Sequence, residues 1–257
     1  LDRHANLIRR LEREGRITRD LDGLPSEDVL TEMAEKDKGL TRPEIASLLC
    51  HAKIAIFDAL TTSDIVEDEA LEDELFAAFP EAVQKRFPDD IRGHRLRREI
   101  IATKLSNAVI NRGGLTQVFE LDETLNCGLD RAAAAFVVVR QLFDLRSVWR
   151  GIDAGDYQVP AAIQTLMHAE VAFALRRQML RLLQQPEIPD GSPLTVTAAL
   201  DRYGDGLKTL LSAPDVPLIG LSKDSFSERR DMYVEQGAGK EVATAIAALD
   251  AYSAGLI

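Results

Sequence analysis

The stretch TRPEIASLLCHAKIAIFDAL, residues Thr41 to Leu60, decides the fold class of this chain. It opens with the pattern of a capping box, in which the Thr41 hydroxyl accepts from the amide of Glu44 and the Glu44 carboxylate reaches back. Pro43 lies in the first turn, where no amide donor is needed. Apolar residues then recur every three or four positions, which is the period of a helix with one buried face. The stretch therefore predicts a long amphipathic helix.

The same period recurs on both sides of this helix along nearly all of the chain. Glycine, proline, serine and aspartate residues separate the periodic segments and are typical of helix ends. The sequence has no pair of alternating segments joined by a hairpin turn. We therefore predict an all-α fold, a bundle-like array of many helices with no significant sheet. The segments expected to be helical are 1–14, 26–38, 41–60, 67–74, 89–113, 115–125, 130–143, 146–153, 160–185, 195–203, 207–211, 224–236 and 240–254.

The clearest break in the helical pattern is PEIPDGSP, Pro186 to Pro193, which is rich in proline and contains an Asp-Gly turn signal. It predicts a linker at 186–193 between a main helical domain, 1–185, and a C-terminal helical subdomain, 194–257. The chain lacks an initiating methionine, so we expect it to be part of a longer chain.

Composition and charge narrow the classes of partner. Hydrophobic residues make up 46% of the 257 residues and the net charge is −11. Such a charge repels nucleic-acid phosphates, and no apolar run reaches the length of a membrane span. Cys50 and Cys127 lie outside any metal-binding spacing and are expected to be buried free thiols of a reducing compartment. We expect a cytoplasmic protein with neither nucleic acid nor membrane as a partner.

The segment HRLRREIIATKLSNAVINRGG, His94 to Gly114, combines a basic start with an apolar middle and two amides. Asp89 or Asp90 is expected to cap one continuous helix here, which Gly113 and Gly114 end. Cations at a helix N-terminus oppose the helix dipole, so acidic partners are needed. We expect the basic residues at 92–98 to pair with neighbouring carboxylates, for which Glu81, Asp89, Asp90 and the acidic helix at 67–74 are available.

The helix at 94–111 is apolar on two sides, which is typical of a helix that runs between other helices. Its amides Asn107 and Asn111 are then expected to face an interior or a groove. One interpretation is a ligand groove lined by Arg97, Asn107, Asn111 and the adjacent Arg112. The other, which we favour, is a polar network with its hydrogen bonds satisfied, because buried polar groups are normally paired.

No catalytic, cofactor-binding or metal-binding pattern is visible in the sequence. The four histidines never pair with a cysteine or with each other at ligand spacing. GAGK, Gly237 to Lys240, lacks the remaining positions of a phosphate loop and is better interpreted as a turn between helices. We therefore assign no catalytic, cofactor or metal residue.

Several stretches carry a family resemblance through their order and spacing. They are LIRRLEREG (Leu7–Gly15), GLTRPEIASLL (Gly39–Leu49), AKI (Ala52–Ile54), HRLRREIIAT (His94–Thr103), NRGG (Asn111–Gly114), VFELDETLNCG (Val118–Gly128), DRAAAAFVVVRQLFDLRSVW (Asp130–Trp149), VPAAIQTLM (Val159–Met167) and YVEQGA (Tyr233–Ala238). Together they resemble the helical C-terminal region of the large bacterial NAD-specific glutamate dehydrogenases.

The resemblance implies an enzyme that converts L-glutamate, NAD and water to 2-oxoglutarate, ammonia and NADH. It also implies that the Rossmann domain and the catalytic residues lie upstream of Leu1, so that this chain itself holds no cofactor and is inactive alone. The implied partners are the upstream dehydrogenase domain of the same chain and further copies in a homo-oligomer. The expected role is structural, in subunit contacts, or regulatory. The alternative is an independent acidic all-α protein-interaction module.

Overall fold

The computed structural model describes residues 1–185, 195–211 and 223–252. Within these ranges the regular elements are fifteen α-helices, two 3₁₀ turns and one π-helical turn, and no strand occurs among them. The predicted all-α fold is confirmed. The first ten helices are α1 (Asp2–Arg13), α2 (Arg19–Asp22), α3 (Glu27–Glu35), α4 (Arg42–Thr61), α5 (Glu72–Phe76), α6 (Glu81–Arg86), α7 (Pro88–Arg92), α8 (Arg97–Ala108), α9 (Gln117–Leu125) and α10 (Leu129–Leu142). The last five are α11 (Leu145–Asp153), α12 (Ala161–Gln184), α13 (Val196–Leu211), α14 (Lys223–Glu235) and α15 (Lys240–Tyr252).

The chain divides into two compact units, Leu1–Ala133 and a second that begins at Ala134, with the boundary inside α10. The linker predicted at 186–193 lies outside the described residues. The division into a domain 1–185 and a subdomain 194–257 therefore stays a prediction.

Helix α4 begins as the sequence predicts. The backbone amide and the hydroxyl of Thr41 donate to Glu44 Oε2 at 2.6 and 2.7 Å, so the carboxylate fixes the first turn. The helix buries Leu48, Ala52 and Ile56 completely, and it packs against α8 in the centre of the first unit.

The segment at 89–113 differs from the single helix that we expected. It forms α7 and α8, separated by a break at 93–96 in which His94 Nδ1 accepts from the amide of Leu96 at 3.1 Å. Gly93 follows α7 directly, and its lack of a side chain weakens helix continuation. The expected cap by Asp89 or Asp90 was wrong, because Pro88 occupies the first position of α7 and both aspartates lie inside the helix.

The acidic run at 67–74 is helical but in short pieces. Two 3₁₀ turns, Asp64–Glu67 and Glu69–Leu71, lead into α5. Leu71 and Leu75 are fully buried while most of the carboxylates remain at the surface, so the segment is amphipathic as expected.

In the second unit α11, α12 and α15 pack against one another and α14 packs on α15. Trp149 of α11 is buried and stacks on Phe136, with ring centroids 6.3 Å apart. A Cβ atom at Gly151 would lie 2.1 Å from Cγ2 of Val242. Only a glycine at position 151 therefore allows α11 and α15 to approach so closely.

Two expectations from composition can be compared with the structure. Cys50 is exposed on the solvent side of α4 and Cys127 is half-buried, so the prediction that both thiols are buried was wrong. The inner face of α4 is filled by apolar residues at neighbouring positions of the helix, so Cys50 lies on its outer, solvent-facing side. Among the described residues, none of the helices is long and apolar enough to span a membrane.

Candidate functional site

The basic start of the 94–114 segment is bound by carboxylates from the acidic run. Arg97 Nη1 lies 2.8 Å from Glu67 Oε2, and Arg98 Nη1 lies 2.6 Å from Glu67 Oε1. Arg92 Nε lies 2.5 Å from Glu72 Oε1 and also pairs with Asp89. The expected pairing of these arginines with neighbouring acidic residues is confirmed.

Arg98 also caps the end of α4. Its Nη2 donates to the backbone carbonyls of Thr61 and Ser63, at 3.1 and 2.8 Å. Cations at a helix C-terminus compensate the unpaired carbonyls and the negative end of the helix dipole. The first turn of α8 is therefore tied to the last turn of α4 by one guanidinium, which is a structural role.

The four predicted site residues do not form one cluster. Arg97 begins α8, whereas Asn111 and Arg112 lie on a π-helical turn, Val109–Gly113, that follows α8. At about 1.5 Å per residue, this separates Arg97 from Asn111 by about 20 Å. Asn107 is half-buried and its amide donates to the Thr103 carbonyl of its own helix at 2.8 Å.

The remaining members of this group lie at or near the surface. Asn111 is exposed and Arg112 is half-buried. The wider π-helical turn and Gly114, whose φ is +104°, turn the chain away after α8. A ligand-binding role for Arg97, Asn107, Asn111 and Arg112 stays a prediction.

An arginine that the sequence did not single out forms largely buried ion pairs in the first unit. Arg10 is buried, and its Nη2 lies 2.5 Å from Asp122 Oδ2 while its Nε lies 2.8 Å from Glu14 Oε1. Its Nη1 donates to the Phe119 carbonyl at 3.1 Å, and the guanidinium lies over the Phe119 ring. This pairing links α1 to α9.

A second arginine–carboxylate cluster links α1, α2 and α3. Arg9 Nε lies 2.7 Å from Glu27 Oε1, and Arg19 Nη1 lies 2.9 Å from Glu27 Oε2. Arg19 also pairs with Glu12 at 2.7 Å. The hydrogen bonds from Arg9 and Arg19 hold the pKa of Glu27 below its ordinary value.

One group combines the residue types of a hydrolase triad, Ser47, His51 and Asp22. Its hydrogen bonds, however, are not those of a catalytic triad. His51 Nε2 lies 3.0 Å from Asp22 Oδ1, and the Thr18 amide donates to Asp22 Oδ2 at 2.7 Å. The Thr18 amide, and then His51, lower the pKa of Asp22. Ser47 donates to the backbone carbonyl of Asp22, so its hydroxyl is not activated by His51. The group therefore fastens α2 to α4.

A pocket on the described part of the second unit has the size of an organic-ligand site. Its volume is about 750 Å³, within the usual range of ligand sites, and its walls are mainly apolar with a few polar groups. The lining residues come from the α10–α11 junction and from α15, and they are Phe143, Asp144, Ser147, Val148, Lys240, Glu241, Val242, Thr244, Ala245, Ala248 and Leu249. In the described part of the chain, no group of three or more His, Cys, Asp or Glu side chains is placed to hold a metal ion.

The fold and these clusters define a helical protein region whose polar side chains mainly join helices to one another. Comparison with known families gives the assignment. The profile of the family described as "Glutamate dehydrogenase, C-terminal" matches residues 37–256. The chain belongs to this family.

Three curated relatives match over almost the whole chain. Each is an NAD-specific glutamate dehydrogenase: the protein of Pseudomonas aeruginosa is 31% identical over 95% of this chain, that of Halomonas elongata 30% over 98%, and that of Mycobacterium tuberculosis 28% over 93%. The chain spans only 15%, 15% and 14% of the length of these relatives, in the same order.

Proposed function

We propose that this chain is the non-catalytic C-terminal helical region of a large NAD-dependent glutamate dehydrogenase. The observation that carries the proposal is the pattern of coverage. Relatives named NAD-specific glutamate dehydrogenase align with at least 93% of this chain, whereas this chain spans at most 15% of the length of any of the three. The whole protein would convert L-glutamate, NAD and water to 2-oxoglutarate, ammonia and NADH.

The non-catalytic role is supported by what the described residues do. Hydride transfer needs a cofactor fold that fixes the nicotinamide against the substrate, together with a tuned acid or base. The described elements are helices, and the clusters of Arg10, Arg19, Arg98 and His51 bind one helix to another. Such a region contributes architecture, subunit contacts or regulation. Its partners would be an upstream dehydrogenase domain, which would hold NAD, and further copies of the protein.

A cofactor titration tests this proposal. The purified 257-residue chain should fold, release no measurable heat with NAD, and form no NADH from NAD and glutamate. The full-length Pseudomonas aeruginosa relative, assayed in parallel, is the positive control. Saturable NAD binding by the isolated chain, or NADH formation above the no-enzyme rate, would contradict the non-catalytic role.

A further inference from the structure

We draw no further inference here: the strongest candidate, the mainly apolar pocket between the α10–α11 junction and α15, carries none, because nothing in the structure shows which molecule or segment covers it.

Discussion

Arg10 of α1 and Asp122 of α9 form an ion pair with Nη2 and Oδ2 2.5 Å apart, although 112 residues separate them in sequence. Asp122 also accepts, through Oδ1, from the backbone amide of Gly128 at 2.7 Å. One carboxylate thus fixes both α1 and the turn between α9 and α10. The pair joins an early and a late part of the first unit.

We expect Arg10→Met to lower the free energy of unfolding by about 2–4 kcal/mol, because it leaves a largely buried carboxylate without its cation. The Asp122 side chain is only 16% exposed. Urea denaturation measures the change. Arg92→Met is the matched control: that side chain is 52% exposed, and its loss should change the urea midpoint much less, because solvent screens exposed ion pairs. Equal losses in the two variants would mean that the buried pair contributes no more than a surface pair.

Gly151→Ala should destabilise the second unit by about 1–3 kcal/mol, because the added methyl group collides with the branched side chain of Val242 and forces α11 and α15 apart. Thermal unfolding by circular dichroism measures the shift. Gly204→Ala within α13 is the control, since no atom lies within 4 Å of its added Cβ, and it should be neutral or slightly stabilising. A Gly151→Ala chain as stable as the original would show that the two helices separate easily.

The hydrogen bonds to Asp22 predict a pH dependence in the acid range. The Thr18 amide and His51 lower the pKa of Asp22 in the folded chain. The resulting stabilisation is present above the ordinary pKa of an aspartate, about 3.9, and is lost as the pH falls through the lowered value. The urea midpoint measured between about pH 6 and pH 3 should therefore fall less steeply in Asp22→Asn than in the original chain. An equally steep fall in both chains would show that these hydrogen bonds do not contribute to the acid dependence.

The two thiols should differ in reactivity. Burial, and then the nearby Asp122 carboxylate, raise the pKa of Cys127, whereas Cys50 is exposed. Because the thiolate is the reactive form, a thiol reagent at about pH 7.5 should modify Cys50 much faster than Cys127. Labelling rates of Cys50→Ser and Cys127→Ser chains give each rate separately. Faster labelling at Cys127 would indicate that its surroundings open in solution.

The helices could be predicted where the signals for them are local. Thr41, Pro43 and Glu44 specify the beginning of α4 within four residues, and its apolar period continues without interruption, so sequence alone locates it. The pairing of the arginines at 92–98 with neighbouring carboxylates was also predictable, because unlike charges had to compensate a helix dipole of known direction. Which of the available carboxylates pairs with Arg97 and Arg98 was not, and the structure assigns Glu67.

The other features depend on contacts that sequence distance conceals. Nothing near Arg10 indicates that Asp122 will be its partner, and nothing near Gly151 indicates that Val242 will pack on it. The break between α7 and α8 follows from Gly93 and a local hydrogen bond to His94, which compete with an apolar pattern that favours one continuous helix. Asn107 was expected across an interior, but its own helix supplies its acceptor.

The intact mass of the native polypeptide that carries this sequence tests the proposed membership of a large dehydrogenase most directly. The polypeptide would be isolated from cell extract with an antibody against the 257-residue chain and weighed by mass spectrometry. A mass several times the 28.4 kDa of this chain is expected, with peptides from a glycine-rich nucleotide-binding region in the same polypeptide. A native polypeptide of 28.4 kDa would contradict that membership and would favour an independent interaction module.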